Sequence, residues 1–231
     1  MILVSLEAIT TVPFAYLFLI YLLRDVMYDK KPLKLNNYLI IYNTCQIILN
    51  SYMIYGLCDV ISFSTYFGIF GLNKTYDSNI KYFVYIHYLS KYFDYLDTIF
   101  IVLRGKSSQL SFLHIYHHAT IGIIWGFLLY MGHGNGTAAF GCFINSIIHL
   151  IMYSHYLITA LGYKNPFKRL ITQAQMAQFM ICLFHSIIVI AFEKVVPANY
   201  SYIQLIYHLQ MLFLFNNFYK TSYKLNNNNN N

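Results

Sequence analysis

LSFLHIYHHATIGIIWGFLLYMG, residues 110–132, contains no Asp, Glu, Lys or Arg. As an α-helix rising 1.5 Å per residue it is about 34 Å long, enough to cross a hydrocarbon core of roughly 30 Å. Yet it opens with three histidines in little more than one turn: His114, His117 and His118. Imidazole is costly in lipid, so the run reads as a membrane helix whose histidines must face an interior or a cavity.

The rest of the chain repeats the pattern. Of 231 residues, 58% are hydrophobic and 10% are charged, and the mean hydropathy is +0.49. A soluble domain carries about 25% charged residues, so the composition indicates an integral membrane protein. Seven apolar runs are long enough to cross, at about 3–23, 37–57, 80–103, 110–132, 137–161, 170–192 and 200–219, with most charges in the short gaps. The expectation is an all-α fold: one polytopic domain of seven transmembrane helices over 1–224, then a low-complexity Asn tail, 225–231, expected to be disordered. The first run has no basic leader and no small-residue cleavage site, so it reads as a retained helix rather than a signal peptide.

Orientation follows from the cations. Arg24, Lys30, Lys31, Lys34, Arg104, Lys106, Lys164, Lys168, Arg169, Lys220 and Lys224 fall on one side; Lys74, Lys81 and Lys194 fall on the other, and Lys91 lies within a run. Positive loops stay cytosolic, which places the N-terminus in the lumen and the C-terminus in the cytosol. The glycosylation patterns at Asn73, Asn135 and Asn199 all fall on the lumenal side. Cys45, Cys58, Cys142 and Cys182 are scattered, with no C-x-x-C, and suggest neither a disulfide framework nor a zinc site.

Four polar clusters interrupt the runs. KYFDYLDT (91–98) puts Lys91, Asp94, Asp97 and Thr98 within an arc of roughly 120° on a straight helix. Lys91 and Asp94, at i and i+3, suit a packing ion pair; the alternative is that Lys91 or Asp97 orients a catalytic group. HIYHH spans roughly 100°, so its three rings can share one cavity. In NSIIHLIMYSHY (145–156), His149, Met152, Tyr153 and Tyr156 form a single stripe, with Asn145 one turn before. TQAQMAQF (172–179) places Thr172, Gln175 and Gln178 on one side and Gln173 off it; these serve either helix joining or substrate contact. His87, His133, His155, His185 and His208 are isolated and read as structural or interfacial, with His185 continuing the Gln178 side. In the inferred orientation all four clusters lie toward the cytosol and converge on one chamber.

K-x-x-D-x-x-D-T, H-x-x-H-H, H-x-x-M-Y-x-H-Y and T-Q-x-Q-x-x-Q-F, in that order on successive helices, resemble the ELO family of very-long-chain fatty-acid elongases. The likeness runs from KKPLKLNNYLIIYN (30–43) to KRLITQAQMAQF (168–179). The family pattern has Glu where Asp94 stands and Tyr where His155 stands. The resemblance implies a seven-helix protein of the endoplasmic reticulum membrane. Helices two to seven would form a 3+3 inverted-repeat barrel around an acyl tunnel closed at its lumenal end. It also implies condensation of long-chain acyl-CoA with malonyl-CoA to 3-oxoacyl-CoA, carbon dioxide and CoA. These are substrates; no cofactor and no metal are implied. The implied partners are the bilayer and the reductases and dehydratase of an elongation cycle, with a homodimer left open and no nucleic acid.

That chemistry needs an activated acyl group and an enolate. No cysteine adjoins the boxes, whereas imidazole is itself a nucleophile. His117 is the expected nucleophile, giving an acyl-imidazole, or a general base in a variant with all steps in one ternary complex. His149, with Asn145, would stabilise the oxyanion or position the second thioester. Lys91, Asp94 and Asp97 would orient the histidines, including His114 and His118, and set their tautomers. Tyr153, Tyr156, Thr172, Gln175 and Gln178 are expected substrate contacts, and Lys168 and Arg169 would meet the CoA phosphates. Two other classes compete. HIYHH offers ligands for a di-iron desaturase or hydroxylase, but His149 and His155, at i and i+6, do not repeat the box. Intramembrane Lys, Asp and His also mark transporter or receptor paths, but a transporter needs access from both sides.

Overall fold

The computed structural model describes residues 2–58, 68–72, 78–134, 136–164, 166–194 and 197–224. All regular elements among them are helical. The α-helices are α1 (Leu6–Met27), α2 (Asn36–Cys58), α3 (Ser78–Phe93), α4 (Tyr95–Leu103), α5 (Phe112–Tyr130), α6 (Thr137–Ala160), α7 (Lys168–Phe192) and α8 (Ala198–Tyr219). Short 3-10 turns occupy Gly68–Phe70 and Ser107–Gln109, and a π turn occupies Lys220–Lys224. Asn73, Lys74, Asn135 and the tail 225–231 lie outside the described residues. Asn199 sits in the first turn of α8.

Six of the apolar runs become one helix each. The third, expected as a single rod over 80–103, is interrupted at Asp94. Asp94 keeps helical dihedrals (φ −63°, ψ −15°), and its N–H bonds Ser90 O at 2.9 Å, but Asp97 N–H reaches back only three residues, to Asp94 O at 3.1 Å. This is a local 3-10 tightening. It changes the phase between Lys91 on α3 and Asp97 and Thr98 on α4, which a straight-rod projection treats as one face.

Local chemistry sets the helix ends. Ser5 and Ser111 cap α1 and α5, accepting from Ala8 N–H and His114 N–H, each at 3.2 Å. Helices α4, α5 and α6 stop at Gly105, Gly132 and Gly162, all at positive φ. After each, the paired turn bonds of a Schellman motif close the helix, as in Gly162 N–H to Thr159 O at 3.1 Å and Tyr163 N–H to Ile158 O at 3.2 Å.

The helices pack in a closed cycle: α2 on α6, α6 on α7, α7 on α8, α8 on α5, α5 on α3, and α3 on α2. Helix α1 stays outside the cycle, against α5 and α4. The polarity is inverted relative to a soluble protein. Phe14, Phe18, Ile41, Ile48, Phe184 and Phe213 are exposed, whereas Gln46, Asn50, Lys91, Asp94, Thr98, His149 and His185 are buried. Helices α1, α5, α6 and α7 are each long and apolar enough to cross a membrane. An apolar exterior around a polar interior is stable only where the exterior meets lipid. The chain is a multi-pass membrane protein.

Candidate functional site

The centre of the polar interior is Asp94, at the helix interruption. Its Oδ2 lies 3.3 Å from Lys91 Nζ, and its Oδ1 accepts from Gln46 Nε2 at 2.8 Å and Tyr153 OH at 3.2 Å. Tyr153 also approaches Asp97 Oδ2 at 2.6 Å, a charge-assisted length. Gln46 donates to Tyr42 OH at 2.9 Å, and the Tyr42 and Tyr153 hydroxyls are 3.3 Å apart. Four elements, α2, α3, α4 and α6, are thus tied through one buried network. Lys91 also donates to Asn145 Oδ1 at 2.9 Å. Because an ammonium only donates, Asn145 must turn its oxygen toward Lys91, leaving both amide hydrogens for another acceptor.

The histidines form a second layer. His114 Nε2 is 2.8 Å from Thr98 Oγ1. Its ring lies 4.2 Å from that of His118, which is 5.5 Å from that of His117. His118 Nδ1 is buried with no hydrogen-bond partner among the described residues. His149 Nδ1 is 3.9 Å from Asp94 Oδ2, beyond hydrogen-bond length, and its ring meets Tyr153 edge-on at 5.6 Å.

A cavity of about 290 Å³ opens between α5, α6, α7 and α8. On α5 its lining runs from His117 to Leu128, on α6 from Thr137 to Asn145, on α7 from Gln178 to Cys182, and on α8 from Tyr200 to His208. Successive helices joined by short turns alternate in direction. His117, Asn145, Gln178 and His208 therefore ring one end, and Leu128, Thr137, Cys182 and Tyr200 lie toward the other. Eleven residues of α5 separate His117 from Leu128, a depth of about 16 Å. Ile121, Ile124, Trp125 and Phe179 make the wall between mostly apolar.

The structure places the remaining expected residues less uniformly. Lys91 and Asp97 contact Asn145 and Tyr153 rather than histidines, and the residue bonded to His114 is Thr98. Gln178 lines the cavity, but Gln175 donates to Met152 Sδ at 3.4 Å and Thr172 pairs with Tyr223 OH at 3.2 Å. The π turn after α8 folds back over the start of α7 and removes Thr172 from the chamber. Tyr156 is exposed at the end of its stripe. Lys168 and Arg169 are exposed, and Arg169 Nε donates to Tyr219 OH at 2.6 Å, as does Gln173 Nε2 at 3.1 Å. His185 lies toward the far end, bonded to Phe70 O at 2.9 Å.

Three groups were not anticipated as site residues: Gln46, Tyr42 and His208. Asn43, Gln46 and Asn50 are spaced i, i+3 and i+7 in an apolar run, which was a legible sign of an inward face. His208 sits alone in its helix and carried no such signal. Its Nδ1 bonds Gln204 O at 2.6 Å, which makes Nδ1 the donor and leaves Nε2 as an acceptor beside the cavity. Among the described residues no three His, Cys, Asp or Glu side chains gather as a metal-ligand set.

Lipid-facing helices enclosing imidazoles, carboxylates and an ammonium, next to a narrow apolar cavity, mark the candidate site of a multi-pass membrane protein. The chain belongs to the ELO: GNS1/SUR4 family, which it matches over residues 1–231. It is 44% identical over 220 residues to "Fatty acid elongase 4" of Trypanosoma brucei brucei, covering 95% of this chain and 86% of the relative. It is 45% identical over 205 residues to "Fatty acid elongase 5" of Leishmania major, covering 89% and 81%. Human "Very long chain fatty acid elongase 4" is 32% identical over 228 residues, covering 90% and 69%.

Proposed function

We propose that this protein is the condensing enzyme of fatty-acid elongation, a very-long-chain 3-oxoacyl-CoA synthase. The observation that carries the reading is the cavity: about 16 Å of apolar tube with His117, Asn145, Gln178 and His208 at one end. A fatty-acyl chain fills such a tube and stops its thioester at the imidazole.

In the reaction, a His117 ring nitrogen attacks the thioester carbonyl, the C–S bond breaks, and CoA leaves as the thiol with the imidazole proton. Malonyl-CoA then loses its carboxylate as carbon dioxide, and the electron pair of that C–C bond becomes the enolate. The enolate carbon bonds the acyl carbon, and the imidazole leaves and takes up one proton. The amide hydrogens of Asn145, polarised by Lys91 at its oxygen, donate to the developing oxyanion in this reading. His149, one turn along α6 and held near Asp94, positions the second thioester. Gln178 contacts the thioester end, and the CoA phosphates meet Lys168 and Arg169 at the start of α7.

The same reading makes one domain of 1–224 that crosses the endoplasmic reticulum membrane seven times, α3 and α4 together forming one span, N-terminus lumenal and C-terminus cytosolic. The packing cycle of α2, α3, α5, α8, α7 and α6, with α1 outside it, is compatible with a 3+3 inverted-repeat barrel and supports that reading. The product implies reductases and a dehydratase as functional neighbours.

The test is incubation of purified, reconstituted protein with a panel of acyl-CoAs and labelled malonyl-CoA. Malonyl-dependent 3-oxoacyl-CoA is expected, and its loss in folded His117→Ala. With malonyl-CoA withheld, labelled acyl chain should stay on the wild-type protein and not on His117→Ala. Product without acyl-protein would assign His117 as a general base in a single complex. Absence of any condensation would overturn the reading.

A further inference from the structure

Helix α1 is outside the cycle of helices, and closing the cavity does not require it. Its side chains nevertheless reach the histidine layer. Phe14 and Phe18 face outward, 70% and 64% exposed, whereas Tyr16 between them is 3% exposed. The Tyr16 ring stacks on Tyr95 at 4.0 Å and 19°. Its hydroxyl is 2.8 Å from Thr98 Oγ1, and Thr98 Oγ1 is 2.8 Å from His114 Nε2. Thr98 is fully buried, so neither bond is shared with solvent.

Counting protons sets the direction of this chain. Thr98 has one proton and stands between two partners. Given to Tyr16, it would require His114 to donate from Nε2 and would leave the buried Tyr16 proton without an acceptor among the described residues. Given to His114, it lets Tyr16 donate to Thr98, and the proton this leaves on His114 Nδ1 lies on a half-buried ring, outside the sealed Tyr16–Thr98 contact. A donor left without an acceptor costs more in the sealed contact than on the half-buried ring, which favours the second arrangement. In it Nε2 accepts, so His114 carries its proton on Nδ1.

We propose that Tyr16 is a positioning residue of the reaction centre: through Thr98 it holds His114 as the Nδ1–H tautomer, with its ring braced against His118. The hydrogen bond at one ring nitrogen of a histidine decides what the other presents. A His114 held in one tautomer and one tilt fixes the neighbouring His118 ring, and His118 in turn flanks His117. The peripheral helix thereby contributes to catalysis without touching substrate. The proposal rests on the elongase reading for its rate consequence, but the tautomer does not depend on that reading.

The experiment compares Thr98→Val, Thr98→Ser, Tyr16→Phe and the Thr98→Val/Tyr16→Phe double variant with wild type, all reconstituted and confirmed folded by thermal unfolding. Thr98→Val is expected to lower kcat about 10- to 100-fold, as losses of such orienting groups do, with KM for acyl-CoA unchanged. Thr98→Ser keeps the hydroxyl and should stay within about twofold of wild type. Tyr16→Phe should fall between them, and the double variant should match Thr98→Val alone, because both act through one link. A kcat for Thr98→Val within twofold of wild type, or additive effects in the double variant, overturns the proposal. Independently of activity, ¹⁵N-histidine NMR, with the His114 signal identified by its loss in His114→Gln, should show protonated Nδ1 in wild type. It should show mixed tautomers in Thr98→Val. An Nε2–H signal for His114, or a spectrum unchanged by Thr98→Val, also overturns it. If wild type condenses no acyl-CoA, the elongase reading falls, and the NMR result still decides the arrangement at His114.

Discussion

Asn145 and Gln46 show how single side chains separate support from chemistry. Asn145 accepts from Lys91 through Oδ1 and lines the cavity, which leaves its N–H₂ as the donor end. Asn145→Asp keeps an oxygen partner for Lys91 but removes the two donors. It should stay folded, with kcat for condensation falling about 10²- to 10³-fold, the scale of a lost oxyanion donor; near-wild-type turnover would remove Asn145 from the mechanism. Gln46 is fully buried and donates to Asp94 and Tyr42. Gln46→Leu leaves Asp94 short of a donor in a medium without water, and about 1–3 kcal/mol of stability should be lost, visible as a lower unfolding temperature in detergent. An unchanged unfolding temperature would mean that Tyr153 and Lys91 satisfy Asp94 without it.

Among the elements, α5 touches both the outer helix and the interior. A Cβ added at Gly126 would come within 2.7 Å of Ile9 on α1 and 2.8 Å of Tyr88 on α3. Only glycine lets the three helices approach this closely. Gly126→Leu forces α5 away from both neighbours, with an expected cost of about 1–3 kcal/mol or more and a larger effect than Gly126→Ala. Protease sensitivity of the α1–α2 connection should rise with it, and an equal response to Ala and Leu would argue against steric separation. The interruption at Asp94 belongs to this scale too. The spacing in KYFDYLDT correctly indicated an inward cluster, and the expected Lys91–Asp94 ion pair is present at 3.3 Å. Which partners Asp97 and Thr98 take depends on the tightened turn, which changes their phase relative to Lys91.

Over the whole molecule, the proposed function makes the cavity the tube for the acyl chain. Gly141 faces it, and a Cβ there would stand 3.3 Å from the Trp125 ring, which lines the opposite wall. Gly141→Leu fills the tube beyond Asn145 without touching His117. The expected outcome is a shift of products from an acyl-CoA panel toward shorter chains, with activity on the shortest accepted substrate kept within about fivefold, since the reacting groups stay in place. An unaltered product distribution would mean that the acyl chain runs elsewhere.

Seven apolar runs, their near-complete absence of charge and the ordered His, Asp, Asn and Gln clusters follow from the amino-acid sequence alone. Helix period is a local backbone property, and a long uncharged run is stable only in lipid, so neither needs a neighbour to be read. The tertiary structure alone decided that Gln46 of α2 braces Asp94, that Thr98 rather than Asp97 holds His114, that Thr172 turns to Tyr223, and that the solitary His208 completes the ring with His117. Each of these depends on how far a helix is rotated about its axis and how deep it sits against the next. Those two quantities are set by the packing of many side chains at once, and spacing within one helix does not contain them.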